Sequence, residues 1–491
     1  MGIIQQQAVK GTVINYLGVL VGFVTVGLLQ PLILSTTEIG LINLLNRYAL
    51  IFAQVFSLGF PALSLRIFPA LRDVQKQHNG YIYLGLIYLI LGFLTALAVY
   101  FLTYEWLLLS GKEKSKLFED FIFLLPYLIF FNLIYIISDT YIRMRYNAII
   151  GAVTKEIIQR IAILTALLIF YFGLVGRDHF VILYTMALAI PGVIMLFYSV
   201  RTPEFSIRPN HSFLRKFSRR SILNISLFGL LSSTTTILVI QVDTLMVNYF
   251  EGLSSLGIYT TMFYFGILVS IPSRALKRIS GTMISDAWSK KDLTTISKVY
   301  FESCLNQSII GGLLFLGVWL NVDSMIQIIG TEFTPGKWVV FFIGLGYLFD
   351  MLTGENASII TTSHLYRYNT YFAILLLVLL FVSNLIFLPS YGIIGAAFSS
   401  AGSMFVVNLL RFILLKTKLN LQPFNYKFLI VGALFAITYL TVSNLPACDE
   451  PTLDLLVRGS LTTALFAGGI LALKVSPSLN RLFTQLLQRV L

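Results

Sequence analysis

The sequence predicts an all-α polytopic membrane protein with about 14 transmembrane helices. Hydrophobic residues make up 57% of the 491-residue chain and charged residues only 12%, whereas soluble domains carry about 25% charged residues. The apolar residues fall in runs of roughly 20, which as helices cross about 30 Å of hydrocarbon. A helix satisfies its own backbone hydrogen bonds in lipid, and the alternating pattern of a membrane barrel is absent.

The apolar runs are separated by short connections, none of them long enough to hold a catalytic domain. We place the spans at 12–34, 39–62, 81–104, 120–142, 152–174, 179–199, 222–247, 255–273, 305–329, 338–361, 369–388, 392–414, 427–445 and 455–475.

The basic residues predict the topology. Most of them lie in the N-terminus, in the connections that follow even-numbered spans, and in the tail. Five lie in the opposite connections: Lys112, Lys114, Lys116, Arg177 and Lys337. Because basic segments stay on the cytoplasmic side, both termini are expected in the cytoplasm. The net charge of +13 therefore reflects topology and predicts no nucleic-acid partner. Inside the spans we identify only Arg47 and Arg458 as cations.

Composition also predicts the domain organisation. A six-helix bundle is expected over 1–200, a basic cytoplasmic linker over 201–221 and a second six-helix bundle over 222–414. Residues 415–491 add two spans and an amphipathic cytoplasmic tail.

A faint parallel repeat relates the two predicted bundles, and it places three kinds of residue at matching positions. The pairs are Asn15 and Asn224, Gly40 and Gly257, and Pro61 and Pro272. Repeats of this kind commonly enclose a substrate site.

Several chemistries are not supported by the sequence. Cys304 and Cys448 are expected on opposite sides of the membrane, so they cannot form a disulfide. The chain has no glycine-rich phosphate loop, and its four histidines lack metal-ligand spacing. We therefore expect no cofactor and no metal. The N-terminus lacks the pattern of a cleavable signal, so the first span is expected to remain in the protein.

Polar residues inside the second span predict a substrate site. Arg47 shares one helix face with Asn43 and Gln54, and a charged side chain inside a membrane requires a cavity or a partner. We interpret this face as a cavity wall that binds substrate, with Asp243 of the seventh span as a further candidate. A snorkelling or structurally paired Arg47, and an interfacial or capping Asp243, remain alternatives.

Two acids in the tenth span, Asp350 and Glu355, are candidates for carrying a coupling proton or Na⁺, because neither has an obvious local base. The alternative is an interhelical hydrogen bond from a protonated acid. Asp139 with Arg143, and Asp454 with Arg458, are four residues apart and are expected to form structural pairs.

Three segments resemble the polysaccharide-transporter branch of the multidrug/oligosaccharidyl-lipid/polysaccharide (MOP) exporter superfamily. The segment 383–397 contains Asn-Leu followed by Pro-Ser-Tyr-Gly-Ile-Ile-Gly-Ala-Ala, similar to a signature that joins two spans across a tight outer turn. Residues 243–247 and 256–259 are similar to the start of the family's second half.

The resemblance implies two pseudo-symmetric bundles around a central cavity that opens alternately to either side. It implies the function of a Wzx-type flippase in the bacterial inner membrane, which moves undecaprenyl-pyrophosphate-linked repeat units for surface polysaccharides such as O-antigen. The implied partners are this lipid-linked oligosaccharide, membrane lipids and polysaccharide assembly proteins. Arg47 matches the expected cationic position in the second span, although the chain otherwise seems to lack intramembrane cations.

Two other function classes remain open. An ion-coupled drug or cation antiporter of the same superfamily would use an acidic cavity, and Asp243, Asp350 and Glu355 allow one. A membrane-embedded glycosyl transferase or polymerase would need a larger outer loop with catalytic acids. We therefore expect a transporter and not an enzyme.

Overall fold

The computed structural model describes residues 14, 16–109, 111, 115–208 and 211–490, and throughout these ranges it contains helices and no strand. Eleven stretches of the described residues are long and apolar enough to cross a membrane. Two of them contain two helices each, and a further helix over 149–171 carries three charges. These give fourteen spans in the described ranges, so the predicted all-α polytopic class is confirmed.

Contacts divide the chain into two compact units, Met1–Gly257 and Ile258–Leu491. The first unit therefore includes most of the predicted seventh span, and the four-part division made from the sequence stays a prediction. The helices of the first unit, the last of which runs past its end, are α1 (Tyr16–Ile33), α2 (Thr36–Phe56), α3 (Phe60–Leu71), α4 (Tyr81–Leu102), α5 (Lys116–Met144), α6 (149–171), α7 (Arg177–Val200) and α8 (Arg219–Ile267).

The second unit contains both membrane-length and shorter helices. They are α9 (Ile271–Ser289), α10 (Leu293–Trp319), α11 (Val322–Ile329), α12 (Lys337–Leu352), α13 (Asn356–Thr362), α14 (Tyr366–Leu419), α15 (Tyr426–Ser443), α16 (Pro451–Ala472) and α17 (Pro477–Val490). The backbone of α17 agrees with the predicted tail helix, but most of its apolar side chains lie outside the described ones.

The outer turn predicted from the segment 383–397 is present within α14. Gly392 has φ +57° and ψ −143°, a conformation that strongly favours glycine, and it separates two helical segments. Three residues later, a Cβ on Gly395 would lie 2.2 Å from the Phe387 carbonyl oxygen. The two glycines of the motif therefore have separate roles, one in turning the chain and one in close helix packing.

The repeated prolines follow breaks in corresponding helices. Between α2 and α3 the chain turns at Leu58 and Gly59, both with positive φ, and Pro61 stands in the first turn of α3. Between α8 and α9 a 3₁₀ turn precedes Pro272, which stands in the first turn of α9. Proline is well placed at these positions because the first N–H groups of a helix have no intrahelical partner. Asn15, the first residue of the predicted repeat, lies outside the described residues.

The repeated glycines form a reciprocal contact inside the first unit. A Cβ on Gly40 would lie 1.9 Å from the Leu253 carbonyl oxygen, and a Cβ on Gly257 would lie 1.8 Å from the Thr36 carbonyl oxygen. The hydroxyls of Thr36 and Ser254 are 2.7 Å apart beside them. Small residues allow helices in membranes to approach this closely.

We expect Gly40→Ala to lower the stability of the protein in detergent, because overpacking a close contact costs about 1–3 kcal/mol. The measurement is the melting temperature of the purified protein. Gly402→Ala is the matched control, since a Cβ on this helical glycine would meet no atom within 4 Å and alanine favours the helix. Equal melting temperatures for the two variants would show that the Gly40 contact is not tight.

Candidate cationic site and buried acids

Arg47 lies well inside α2, whose start is fixed by a capping box. The Ser35 hydroxyl accepts from the Glu38 N–H, and the Glu38 carboxylate accepts from the Ser35 N–H. From Thr36, Arg47 is about 16 Å along the helix at 1.5 Å per residue. Its Nη1 donates to Oε1 of Gln241 on α8 at 2.8 Å, and Gln241 is only 2% exposed. The guanidinium is therefore held between two helices of the first unit.

The other predicted substrate residues have different surroundings. Asn43 is half-buried, and its Nδ2 donates to the Ile39 carbonyl of its own helix at 2.9 Å. Gln54 is also half-buried, and Asp243 is buried on α8, two residues after Gln241. Their roles in substrate binding stay predictions.

A second guanidinium lies near Arg47. Arg160 of α6 and Arg47 both act electrostatically on the Tyr184 hydroxyl of α7, which accepts from Nε2 of Gln30 at 2.7 Å. Gln30 belongs to α1, so side chains from five helices meet here. We call this group, Gln30, Arg47, Arg160, Tyr184 and Gln241, the cationic cluster.

Helix α6 carries charges that the sequence analysis did not identify as intramembrane. Arg160 pairs with Glu156 at 2.9 Å, and Nζ of Lys155 lies 4.8 Å from the centre of the Tyr135 ring. Residues 154–158 form a π-helical segment, a distortion that is frequent at functional sites. The expectation of few intramembrane cations beyond Arg47 and Arg458 was therefore wrong. Counting charges within the predicted span 152–174 would have found these residues.

Asp350 has a basic partner that the sequence analysis did not foresee. Its carboxylate pairs with Nζ of Lys277 on α9, and it also acts electrostatically on Arg411 of α14. The expectation that Asp350 lacks a local base was wrong, because the stretch from 274 to 301 was interpreted as a connection. Residues up to Ser289 in fact continue as helix α9 and bring Lys277 to α12.

Glu355 is fully buried between α12 and α13 and contacts neutral groups. Nε2 of Gln307 donates to its Oε1 at 3.3 Å, and the Ser358 hydroxyl donates to its Oε2 at 2.7 Å. Within the described part of the chain it makes no salt bridge. A Cβ on the preceding Gly354 would lie 2.8 Å from the Cys304 sulfur, so this turn packs directly on α10.

The two predicted structural pairs are confirmed. Arg143 donates to the Asp139 carboxylate on α5. Arg458 donates to Asp454 at 2.9 Å, and the Ser324 hydroxyl donates to the same carboxylate.

Comparison with known proteins agrees with these features at the level of the fold. No protein-family model matches the chain. An uncharacterized membrane protein of Methanocaldococcus jannaschii is 24% identical over 284 residues, 53% of this chain and 52% of that protein. The chain thus spans about half the length of this relative.

Solved transporter structures match nearly the whole chain. The lipid II flippase MurJ, in an inward closed conformation, superimposes with a TM-score of 0.73 and 13% identity, covering 96% of this chain and 100% of MurJ. The fold is that of MurJ. An inward-facing multidrug resistance MATE family transporter of the MOP superfamily superimposes with a TM-score of 0.57 and 14% identity over 83% of this chain and 94% of its own. The Vibrio cholerae MATE transporter VcmN gives 0.53 and 13% over 86% and 99%. This chain is a multi-pass membrane protein with the fold that these flippases and transporters share.

Proposed function

We propose that this protein is a flippase for an undecaprenyl-pyrophosphate-linked oligosaccharide, acting by alternating access. The observation that carries the proposal is the cationic cluster, in which Arg47 and Arg160 lie within the helices of the first unit and close to one hydroxyl, that of Tyr184. Sugars and diphosphate cannot enter hydrocarbon unaided, and guanidinium groups bind phosphate oxygens bidentately. The lipid tail, in contrast, can remain in the bilayer during transport.

The resemblance of the segment 383–397 and the fold shared with a lipid II flippase support this substrate class. We propose that the glycan is a repeat unit for a surface polysaccharide, as in the Wzx-type branch, and that assembly proteins use the product. The proposed location is the bacterial inner membrane, with both termini in the cytoplasm.

A drug or cation antiporter is the second candidate, favoured by the buried carboxylate of Glu355 and by the fold shared with MATE transporters. Proteoliposomes distinguish the two functions. We expect the purified protein to expose a fluorescent undecaprenyl-pyrophosphate oligosaccharide to an added glycosidase faster than protein-free liposomes do. Proton-driven uptake of an organic cation without such flipping would favour the antiporter.

The proposed topology is testable with the native thiols. We expect a membrane-impermeant maleimide, added to intact spheroplasts, to label Cys448, which is partly exposed. Cys304 is buried, so its lack of labelling would report burial and not the side of the membrane. Lys290→Cys in a Cys304→Ser background supplies an exposed position at the opposite end of the helices. Labelling of Lys290→Cys but not of Cys448 from outside would reverse the topology.

A further inference from the structure

A separate cavity of about 660 Å³ lies between α3 and the start of α8 in the first unit. Its polar lining consists of Arg66, Ser218, Arg220, Ser221 and Asn224. None of these residues belongs to the cationic cluster. Arg66 follows Arg47 by 19 residues, about five helical turns.

The cavity forms because two helices touch on one side of it and separate beyond. A Cβ on Gly59 would lie 2.1 Å from the Ser226 carbonyl oxygen, and one on Gly229 would lie 2.5 Å from the Ala62 Cβ. The helices therefore meet backbone to backbone at this level. Arg66 lies about one turn further along α3, and the space opens there.

The charges in the cavity favour an anion. Among the described residues, neither Arg66 nor Arg220 makes a salt bridge, and no acid lines the cavity. Each guanidinium offers several N–H donors in a planar fork that matches phosphate oxygens. The amide of Asn224 and two serine hydroxyls supply further polar groups at its wall.

One stripe of α8 changes from cationic to apolar as it leaves the cavity. Arg220, Asn224, Phe228 and Leu231 follow one another at spacings of four, four and three residues, so they share one helix face. Phe228 is 73% exposed and Leu231 is 59% exposed. A ligand with a charged head and a long apolar chain matches this order of side chains.

We propose that this cavity binds the diphosphate group of the lipid-linked substrate at the end of the helices predicted to be cytoplasmic. The inference rests on the proposed function and deepens it by adding a loading site separate from Arg47. The diphosphate is the recognised group, and the apolar stripe favours its lipid-attached form over free pyrophosphate.

The test measures binding to the full-length protein in detergent micelles, with undecaprenyl pyrophosphate and inorganic pyrophosphate as probes. We expect Arg66→Gln and Arg220→Gln each to weaken binding of the lipid by about tenfold or more, because each removes charge-assisted hydrogen bonds. The lysine variants keep the charge and are expected to retain part of the affinity. Arg219→Gln is the matched control, since Arg219 carries the same charge next to Arg220 but does not line the cavity.

Three results would overturn the proposal. One is an equal loss of binding in Arg219→Gln, which would indicate general electrostatic attraction. Another is equal competition by phosphatidylglycerol vesicles, and the third is binding of inorganic pyrophosphate but not of the lipid. Unchanged melting temperatures of the glutamine variants would show that their effects are local.

Transport by the same samples separates this inference from the proposed function. If the wild-type protein flips substrate and the Arg66→Gln/Arg220→Gln variant binds and flips normally, the loading site is wrong and the function stands. If the wild-type protein binds the lipid diphosphate through these arginines but does not flip it, the function is wrong and the site stands.

Discussion

Arg47→Ala is expected to reduce flipping of a lipid-linked oligosaccharide in proteoliposomes at least tenfold. A hydrogen bond to a charged group contributes about 1.5–3 kcal/mol, and about 1.4 kcal/mol corresponds to tenfold in affinity. Arg47→Lys keeps the charge but loses the planar fork, so we expect it to retain part of the activity. Initial flipping rates at equal protein density are the measurement.

The alternative for Arg47 is a purely structural bond to Gln241. In that case Arg47→Ala would lower the melting temperature, while the protein that remains folded would still bind substrate. Arg201→Ala is the matched control, because Arg201 is exposed and its guanidinium packs on the Phe197 ring at 4.0 Å. Normal flipping by well-folded Arg47→Ala would remove Arg47 from the proposed site.

Glu355→Gln is expected to leave the protein folded and to remove the dependence of flipping on an ion gradient. A fully buried carboxylate with neutral donors is poorly solvated when charged, so uptake of a proton or Na⁺ is favoured. Glutamine imitates the protonated acid and cannot release the proton. Flipping with and without an imposed proton or Na⁺ gradient is the measurement.

Asp350→Asn is the second variant in this experiment. Because Asp350 pairs with Lys277, we expect its amide to leave an uncompensated lysine and to lower the melting temperature as well. Glu332→Gln, at an exposed position outside the spans, is the control. Full gradient dependence in both Glu355→Gln and Asp350→Asn would end the ion-coupling hypothesis.

The sequence was sufficient for features that depend on local pattern. Long apolar runs predicted the spans, because each helix must satisfy its own backbone groups in lipid. The glycine of the segment 383–397 predicted the turn at Gly392, and i,i+4 spacing predicted the pairs Asp139–Arg143 and Asp454–Arg458.

Features that depend on distant contacts were missed. The partner of Arg47 is Gln241, 194 residues away, and a neutral amide in an apolar span attracts no attention in a sequence. Lys277 was missed because α9 is too polar to resemble a span, although it continues the preceding helix. Hydropathy identifies helices that face lipid, whereas a polar helix packed against other helices escapes it.

The glycine contact between α2 and residues 253–257 also has a kinetic consequence. Where backbone meets backbone, no large side chains interlock, so the helices can part without a change of rotamer. The hydroxyl pair of Thr36 and Ser254 adds one polar link, and such interhelical bonds in membranes average about 0.6 kcal/mol. We therefore expect this junction to behave as a reversible latch that closes in one register and opens over a low barrier. Cores that interlock large rings, such as those of Phe60 and Tyr81, would separate far more slowly.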